Sequence, residues 1–135
     1  MNFWLMKSEP YKYPWVQLLK DKSTFWDGVR NYQARNNLRA MEIGDQCFFY
    51  HSNEDKAIMG IAEVIKASYQ DPSTLDPNWV SVDIAPIKTL DKPVTLAAIK
   101  ANPELAMIGI IKQSRLSVVA LKPEEFEIIF KMSKK

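Results

Sequence analysis

The chain has 135 residues, of which 47% are hydrophobic and 25% charged, and its net charge at pH 7 is +2. This length suffices for the core of one domain, and no apolar run approaches the roughly 18 residues of a membrane-spanning helix. The small net charge argues against a protein that coats nucleic acid by bulk electrostatics. We therefore expect one soluble globular domain over residues 1–135 that does not associate with membranes.

The cysteine and histidine content excludes two common kinds of structural staple. Cys47 is the only cysteine and His51 the only histidine, so neither an internal disulfide nor a four-ligand zinc site of the usual kind is expected. The first ten residues also lack the basic stretch and the long apolar segment of a secretory signal. We expect a monomer that acts inside the cell, in the nucleus if the source is eukaryotic, without a metal or other cofactor.

Short strands and helices follow one another in the first half of the chain. The apolar segment Phe3–Met6 predicts a buried strand, and Pro10 prevents the strand from continuing. The spacing of Ala34 and Leu38 is typical of an amphipathic helix, for which Asn31 is a suitable N-cap. The other elements predicted here are a helix over Pro14–Lys20, a turn at Asp27-Gly28, and a hairpin of Gln46–Ser52 and Ala57–Tyr69 joined by the loop Asn53–Lys56.

The second half of the chain predicts further strands and two helices. Residues Trp79–Ile87 alternate between apolar and polar, as in a half-buried strand, and a brief strand is predicted over Ser117–Leu121. Helices are predicted over Thr95–Ala101 and Lys122–Phe130, with a half-turn within Pro103–Gly109. Five or six short strands with little helix between them favour a mainly β, α+β fold, a small barrel decorated with helices, over a Rossmann-like sheet.

Signatures of catalysis are missing from the sequence. It contains no GxGxxG, no GK[ST] loop, no HExxH and no GxSxG. Cys47 and His51 lie four residues apart on a predicted strand, about 13 Å at 3.3 Å per residue, which is too far for a catalytic pair. The acidic residues are scattered. The sequence thus indicates a non-catalytic protein.

The segment Trp26–Arg39, WDGVRNYQARNNLR, combines side chains that contact nucleic acids. Aromatic rings stack on bases, amides pair with base edges and arginines hold phosphates. Asn31, Arg35 and Arg39 share one helix face, and no acidic residue separates Asp27 from Glu42. A purely structural alternative remains at this point, in which the aromatic residues belong to the core and the arginines form a solvated face.

Four motifs in order resemble those of EVE domains. They are WLMKSEP at residues 4–10, WDGVRNYQARN at 26–36, FFYHSN at 48–53 and SRLS at 114–117, and together they span most of the chain. The resemblance implies a single EVE domain with a PUA-like pseudobarrel, related to YTH and ASCH domains. It also implies a non-enzymatic role in binding DNA or RNA that carries a modified base, above all a modified cytosine.

The same resemblance implies a set of site residues. The base would be inserted between Trp26 and a second aromatic residue, either Trp79 or Tyr32, and checked by hydrogen bonds from Ser8, Asn31 and His51. The expected pocket comprises Lys7, Ser8, Trp26, Val29, Asn31, Tyr32, His51, Ser52 and Trp79, and the expected phosphate contacts and rim are Arg30, Arg35, Ser114 and Arg115. Trp4 and Trp15 lie on apolar patterns and are expected in the core.

Alternatives to these roles remain open. His51 is equally consistent with a hydrogen-bonded structural residue at a strand end, and an arginine of the turn is able to pair with Asp27 instead of a phosphate. An enzyme that acts on a modified nucleotide or small molecule would use Glu9 or His51 as proton carrier. A protein-interaction module would dock an acidic partner on the basic helix face.

Overall fold

The computed structural model describes residues 1–134, which form a mainly β fold. Six strands and five short helices follow the order β1, α1, β2, α2, β3, β4, β5, α3, α4, β6, α5, with a single 3-10 turn at Pro103–Leu105 between α3 and α4. The strands are β1 Phe3–Ser8, β2 Thr24–Phe25, β3 Gln46–His51, β4 Ala57–Gln70, β5 Val80–Thr95 and β6 Val118–Leu121. The helices are α1 Trp15–Asp21, α2 Tyr32–Ala40, α3 Leu96–Ala101, α4 Gly109–Lys112 and α5 Pro123–Met132.

The strands form one mixed sheet in the order β2-β5-β4-β3-β1-β6. Strands β1 and β3 are parallel, whereas every other neighbouring pair is antiparallel. In the parallel pair Ser8 lies opposite His51, so both strands end at the same edge of the sheet. This register brings the loop after β1 next to the loop after β3.

Helix α2 shows that the sheet is curled. It packs against β4 and β5 and also against β6 at the far edge, where Asn37 Nδ2 donates to the Val118 carbonyl at 2.7 Å. In a flat sheet β5 and β6 would lie about 19 Å apart, wider than a helix of about 10 Å. Register shifts at several points of the β4–β5 ladder accommodate the bending. The prediction of a small barrel with attached helices is confirmed.

The core fills the inside of this curled sheet and contains both tryptophans predicted to lie there. Trp4 and Trp15 are 5% and 4% exposed. Trp4 Nε1 donates to Asp45 Oδ2 at 3.0 Å, and Trp15 Nε1 donates to Thr89 Oγ1 at 2.9 Å. Both indole N–H groups therefore keep a partner inside the protein.

Three elements differ from the sequence predictions. Strand β2 was not predicted, because two residues are too short to show a period. Strand β5 extends beyond Ile87 to Thr95, where only Leu90 and Val94 are buried and the alternation is lost. Helix α4 was not predicted, and it follows the predicted half-turn within Pro103–Gly109. Within residues 1–134 no helix combines the length and the apolar composition needed to cross a bilayer.

Candidate functional site

A cleft of about 500 Å³ opens between the loop that follows β1 and the segment around β2. Its walls come from two stretches of chain, residues 7–13 at the end of β1 and residues 24–27 at β2. The lining residues are Lys7, Ser8, Glu9, Lys12, Tyr13, Thr24, Phe25, Trp26 and Asp27. The volume lies within the range typical of small-ligand sites, roughly 300 to 1,000 Å³.

Aromatic rings form one wall of the cleft. Trp26 is half-buried and packs edge-on against the buried Phe49, with ring centroids 5.6 Å apart and an interplanar angle of 87°. Its backbone N–H donates to the Val82 carbonyl at 2.8 Å, which extends the β2–β5 pairing by one residue. Tyr13 lies near the same phenylalanine, 6.5 Å between centroids. The core thus fixes Trp26 while part of its ring remains accessible.

Charged groups surround these rings. Lys7 Nζ donates to the Ser114 carbonyl at 2.9 Å, and burial lowers the pKa of this lysine. Glu9 Oε2 lies 3.4 Å from Lys12 Nζ. A hydrogen bond from Tyr11 outweighs partial desolvation and, together with the Lys12 charge, lowers the pKa of Glu9. The cleft therefore presents a carboxylate near neutral pH.

The strand end behind the cleft holds the first loop in place. His51 Nε2 accepts the backbone N–H of Trp15 at 2.9 Å, and Nδ1 lies 2.8 Å from Asp55 Oδ2. Because Nε2 accepts, the neutral ring carries its proton on Nδ1 and donates it to the carboxylate. Ser52 donates its backbone N–H to the Ser8 carbonyl at 2.9 Å. His51 and Ser52 therefore support the cleft without lining it.

A buried aspartate, absent from the predicted site, fixes the turn after Trp26. Asp71 is 0% exposed, and its Oδ2 accepts from the Gly28 N–H at 2.8 Å and from Arg30 Nη1 at 2.9 Å. Gly28 has φ of 75°, a conformation that favours glycine. Burial alone would raise the pKa of Asp71, but hydrogen bonds from Ser73, Arg30 and Gly28 lower it to about 2. The anchoring partner of Arg30 is thus Asp71 and not Asp27.

A second aromatic group, which we call the platform, consists of Arg30, Tyr32, Arg35 and Trp79. The rings of Tyr32 and Trp79 pack with centroids 5.1 Å apart and an interplanar angle of 35°. The Arg30 guanidinium lies 5.4 Å from the Trp79 ring centre, and that of Arg35 lies 4.9 Å from the Tyr32 ring centre. Neither platform ring lines the cleft, so the expected sandwich of Trp26 with Trp79 or Tyr32 is not formed within one cavity.

Of the expected phosphate and rim residues, Ser114 and Arg115 lie in a separate hollow of about 300 Å³, whose lining is Asn31, Gln33, Gln113, Ser114, Arg115 and Leu116. The Asn31 side-chain oxygen accepts from Ala34 N–H at 2.9 Å, which confirms the predicted N-cap of α2 and commits this oxygen to the helix. The bond between Lys7 and Ser114 connects this hollow with the cleft.

The structure thus divides the predicted site residues. Lys7, Ser8 and Trp26 share the cleft. Val29 does not face it, because its side chain is 7% exposed within the core. The lining residues that were not predicted are Lys12, Tyr13, Thr24 and Phe25. Glu9 was expected only as the proton carrier of the enzyme alternative, and Asp27 belongs to the WDG motif at the turn.

No metal-binding cluster accompanies the cleft in the part of the chain described. Among residues 1–134 no three histidine, cysteine, aspartate or glutamate side chains are grouped closely enough to hold an ion. Burial raises the pKa of the Cys47 thiol, so this cysteine is kept neutral inside the core. Binding through rings, carboxylates and lysines is the chemistry that the cleft offers.

Comparison with known families identifies the chain over nearly all its length. The model of the EVE domain family matches residues 2–132. Human thymocyte nuclear protein 1 is 32% identical over an alignment of 168 positions, gaps included, which covers 99% of this chain and 75% of that protein. The predicted resemblance is confirmed.

Solved structures share the fold. The NMR structure of Rpa0253 from Rhodopseudomonas palustris has a TM-score of 0.94 at 45% identity and covers 98% of this chain and 93% of its own. The crystal structure of the human THYN1 protein in complex with 5-methylcytosine-containing DNA has a TM-score of 0.92 at 32% identity. This match covers 100% of this chain and 99% of the THYN1 chain. The YTH domain of Zygosaccharomyces rouxii MRB1 has a TM-score of 0.63 at 16% identity. The match covers 99% of this chain and 87% of that domain, and it shows that the two share a fold.

Proposed function

Since this chain belongs to the EVE domain family, we propose that it is a non-catalytic nucleic-acid-binding domain that reads one modified base in the cleft beside Trp26. A modified cytosine in DNA is the preferred ligand. The observation that carries the proposal is a cleft walled by an accessible tryptophan that the core holds in place. The related human THYN1 protein, crystallised with 5-methylcytosine-containing DNA, supports the choice of ligand.

Stacking on Trp26 supplies the first part of the recognition. A base turned out of its duplex, or presented in a single strand, offers a flat face to the indole, and such stacking contributes about 1–3 kcal/mol per base. Tyr13 and Phe25 line the same cleft and replace Trp79 and Tyr32 as candidates for the second ring. Tyr13 is half-buried and Phe25 is 50% exposed, so both remain accessible to a ligand.

Hydrogen bonding in the cleft favours a base that carries an exocyclic amino group. Glu9 and Asp27 are acceptors that line the cleft, and carboxylates pair with the amino group of cytosine. Thymine has a carbonyl at the corresponding position and would meet two acceptors without a proton to share. Lys7 and Lys12 complement this arrangement with positive charge for a base carbonyl or the neighbouring phosphates.

The chemistry of the candidate proton carriers favours binding over catalysis. Both ring nitrogens of His51 are occupied, and the lowered pKa of Glu9 makes it a poor proton donor at neutral pH. The Cys47 thiol is buried and its raised pKa disfavours the thiolate. The enzyme alternative therefore lacks an activated residue in the cleft.

A titration series tests the proposal. Fluorescence anisotropy is measured with labelled oligonucleotides that carry cytosine, 5-methylcytosine, 5-hydroxymethylcytosine or thymine at one position, single- and double-stranded, as DNA and as RNA. We expect preferential binding of a modified cytosine in DNA, weakened by Trp26→Ala. Equally weak binding of every oligonucleotide, unaffected by Trp26→Ala, would contradict the proposal and leave an acidic protein as the partner to test. Release of a base or a hydrolysed product on long incubation would instead indicate an enzyme.

A further inference from the structure

The platform forms a stacked surface outside the cleft. Its four side chains lie in the order Arg30, Trp79, Tyr32 and Arg35, each within 5.4 Å of the next as measured to ring centres. Tyr32 is 59% exposed although its neighbours hold it, so this ring is open to solvent. The two rings lie between guanidinium groups, and the exposed Tyr32 ring is suited to stacking of a further planar group.

The platform is rigid because the loop beneath Trp79 is closed by hydrogen bonds. The Asp71 N–H donates to the Trp79 carbonyl at 3.0 Å, and Gln70 Nε2 donates to the carbonyls of Thr74 and Asp76 at 3.0 and 2.9 Å. Arg35 Nη1 reaches the Asn78 carbonyl at 3.3 Å from the helix side. A ligand would therefore meet rings that are already in place, which lowers the entropic cost of binding.

The charge of this surface indicates an anionic partner. Arg30, Arg35 and Arg39 are close in sequence, and the segment from residue 28 to residue 41 contains no acidic residue. Arg30 is compensated by Asp71, whereas Arg35 makes its side-chain contacts with Asn36 and Asn78, which are neutral. A phosphate next to a stacked base would complement the charge of Arg35.

One buried carboxylate connects the platform with the cleft. Asp71 Oδ2 binds the Gly28 N–H of the turn that follows Trp26 and also the guanidinium of Arg30. Tyr32 is six positions after Trp26, so their Cα atoms are at most about 20 Å apart. Tyr32 does not line the cleft, so a mononucleotide held there leaves this ring free, whereas a strand of several nucleotides is long enough to reach it.

We propose that the platform is a second nucleic-acid contact, on which an unpaired nucleotide flanking the read base stacks against Tyr32 in the place of the Arg35 guanidinium, which turns aside to hold the phosphate of that nucleotide. The proposal rests on the proposed function, because the cleft must first hold the modified base. It gives Tyr32 and Trp79 a role outside the base pocket. Recognition of the modification remains with the cleft, and the platform adds affinity that does not depend on the modification.

The test compares two ligands that differ in length. One is 5-methyl-2′-deoxycytidine monophosphate, followed by NMR titration, and the other is a single-stranded nonamer with 5-methylcytosine at its centre, followed by anisotropy. For Tyr32→Ala we expect about tenfold weaker binding of the nonamer and unchanged binding of the mononucleotide. Tyr32→Phe retains the ring and should bind both ligands as the native protein does.

Two matched arginine variants distinguish the loss of a contact at the platform from a general loss of positive charge. Arg35→Ala and Arg39→Ala remove the same charge from the same helix, but only Arg35 contacts a platform ring. We expect Arg35→Ala to weaken nonamer binding several-fold more than Arg39→Ala, at unchanged mononucleotide affinity. Thermal unfolding of each variant shows that the fold is retained.

The possible failures point to different causes. Nonamer binding by Tyr32→Ala and Arg35→Ala at the native affinity would overturn the platform proposal and leave the proposed function intact. Equal loss of the mononucleotide and the nonamer would also overturn it, because the substitution would then act through the cleft. Absence of binding of either ligand by the native protein would overturn the proposed function itself.

Discussion

Two tryptophans on the same phenylalanine show how core and site differ in this protein. Trp15 lies 5.3 Å from Phe49 and Trp26 lies 5.6 Å from it, measured between ring centroids. Trp15 is 4% exposed, packs over Gly60 and donates its indole N–H to Thr89. Trp26 is half-buried and lines the cleft. The first ring is almost completely enclosed, whereas the second is only partly enclosed.

The comparison shows that a residue's available atoms, rather than its type or its place in a motif, decide its role. The same distinction applies to the polar residues at the two strand ends. Both nitrogens of His51 are occupied by Trp15 and Asp55, so the ring positions the loop. Glu9, from the loop so positioned, lines the cleft, and its buried Oε2 has no hydrogen-bond partner among residues 1–134. We therefore expect substitutions of Trp15 and His51 to affect stability, and substitutions of Trp26 and Glu9 to affect binding.

The largest effect is expected for Trp15→Ala. Removing a fully buried tryptophan side chain costs about 3–5 kcal/mol, because contacts are lost and a cavity remains. Gly60→Ala should destabilise the same place from the other side, since its Cβ would lie 2.2 Å from Trp15 Cζ2. Urea denaturation measures both. Unfolding midpoints close to that of the native protein would show that Trp15 is not an essential part of the core.

Asp71→Asn is expected to destabilise the protein by about 2 kcal/mol at neutral pH. The pKa of Asp71 is lowered to about 2 in the folded protein, against about 3.9 in an unfolded chain. Its contribution is thus complete above about pH 4 and is lost as the pH falls towards 2. Urea titrations between pH 7 and pH 2.5 should show the two proteins converging in stability as the pH falls.

The outcome also tests whether Asp71 supports both regions. Because its carboxylate holds Gly28 and Arg30 together, Asp71→Asn should weaken nonamer binding as well as stability. Asp91→Asn is a suitable control, since Asp91 is an exposed residue of β5 that belongs neither to the cleft nor to the platform. A stability difference that stays constant down to pH 2.5 would contradict the assigned charge state.

Much of this organisation was predictable from local patterns. The apolar run Phe3–Met6, the spacing of Ala34 and Leu38, and the cap at Asn31 each depend on near neighbours in sequence, and all three were confirmed. The parallel pairing of β1 with β3, which brings the loops after these two strands together, was not predictable from local patterns.

The site residues that escaped prediction depend on long-range contacts. Asp71 stands in an ordinary turn sequence, DPST, and its importance comes from burial against residues 28 and 30, more than forty positions earlier. The separation of Trp79 from Trp26 has the same origin, since pairing of β5 with β4 and β2 decides which face the loop before β5 occupies. Val29, placed in the predicted pocket by its motif, is in the core for the same reason.

Trp26→Ala is expected to weaken binding of the modified oligonucleotide about tenfold, while stability falls less than in Trp15→Ala. The binding loss reflects the missing stacking face, and the smaller stability loss reflects an indole that is only half enclosed. Trp26→Phe keeps a ring and should retain most of the affinity. The comparison between the two tryptophans would fail if Trp26→Ala unfolded the protein as readily as Trp15→Ala while leaving the affinity unchanged.

The smallest effect is expected for Glu9→Gln, and it concerns selectivity. Thymine carries the same methyl group as 5-methylcytosine but a carbonyl in place of the amino group, so a carboxylate favours the cytosine. Glutamine has both a donor and an acceptor, and the preference for 5-methylcytosine over thymine should narrow about fivefold, the scale of one hydrogen bond. Glu104→Gln removes an equal charge from an exposed position outside the cleft and should leave the preference unchanged. An unchanged preference in Glu9→Gln would show that Glu9 does not bind the amino group. Asp27, the other carboxylate that lines the cleft, would then be the residue to substitute.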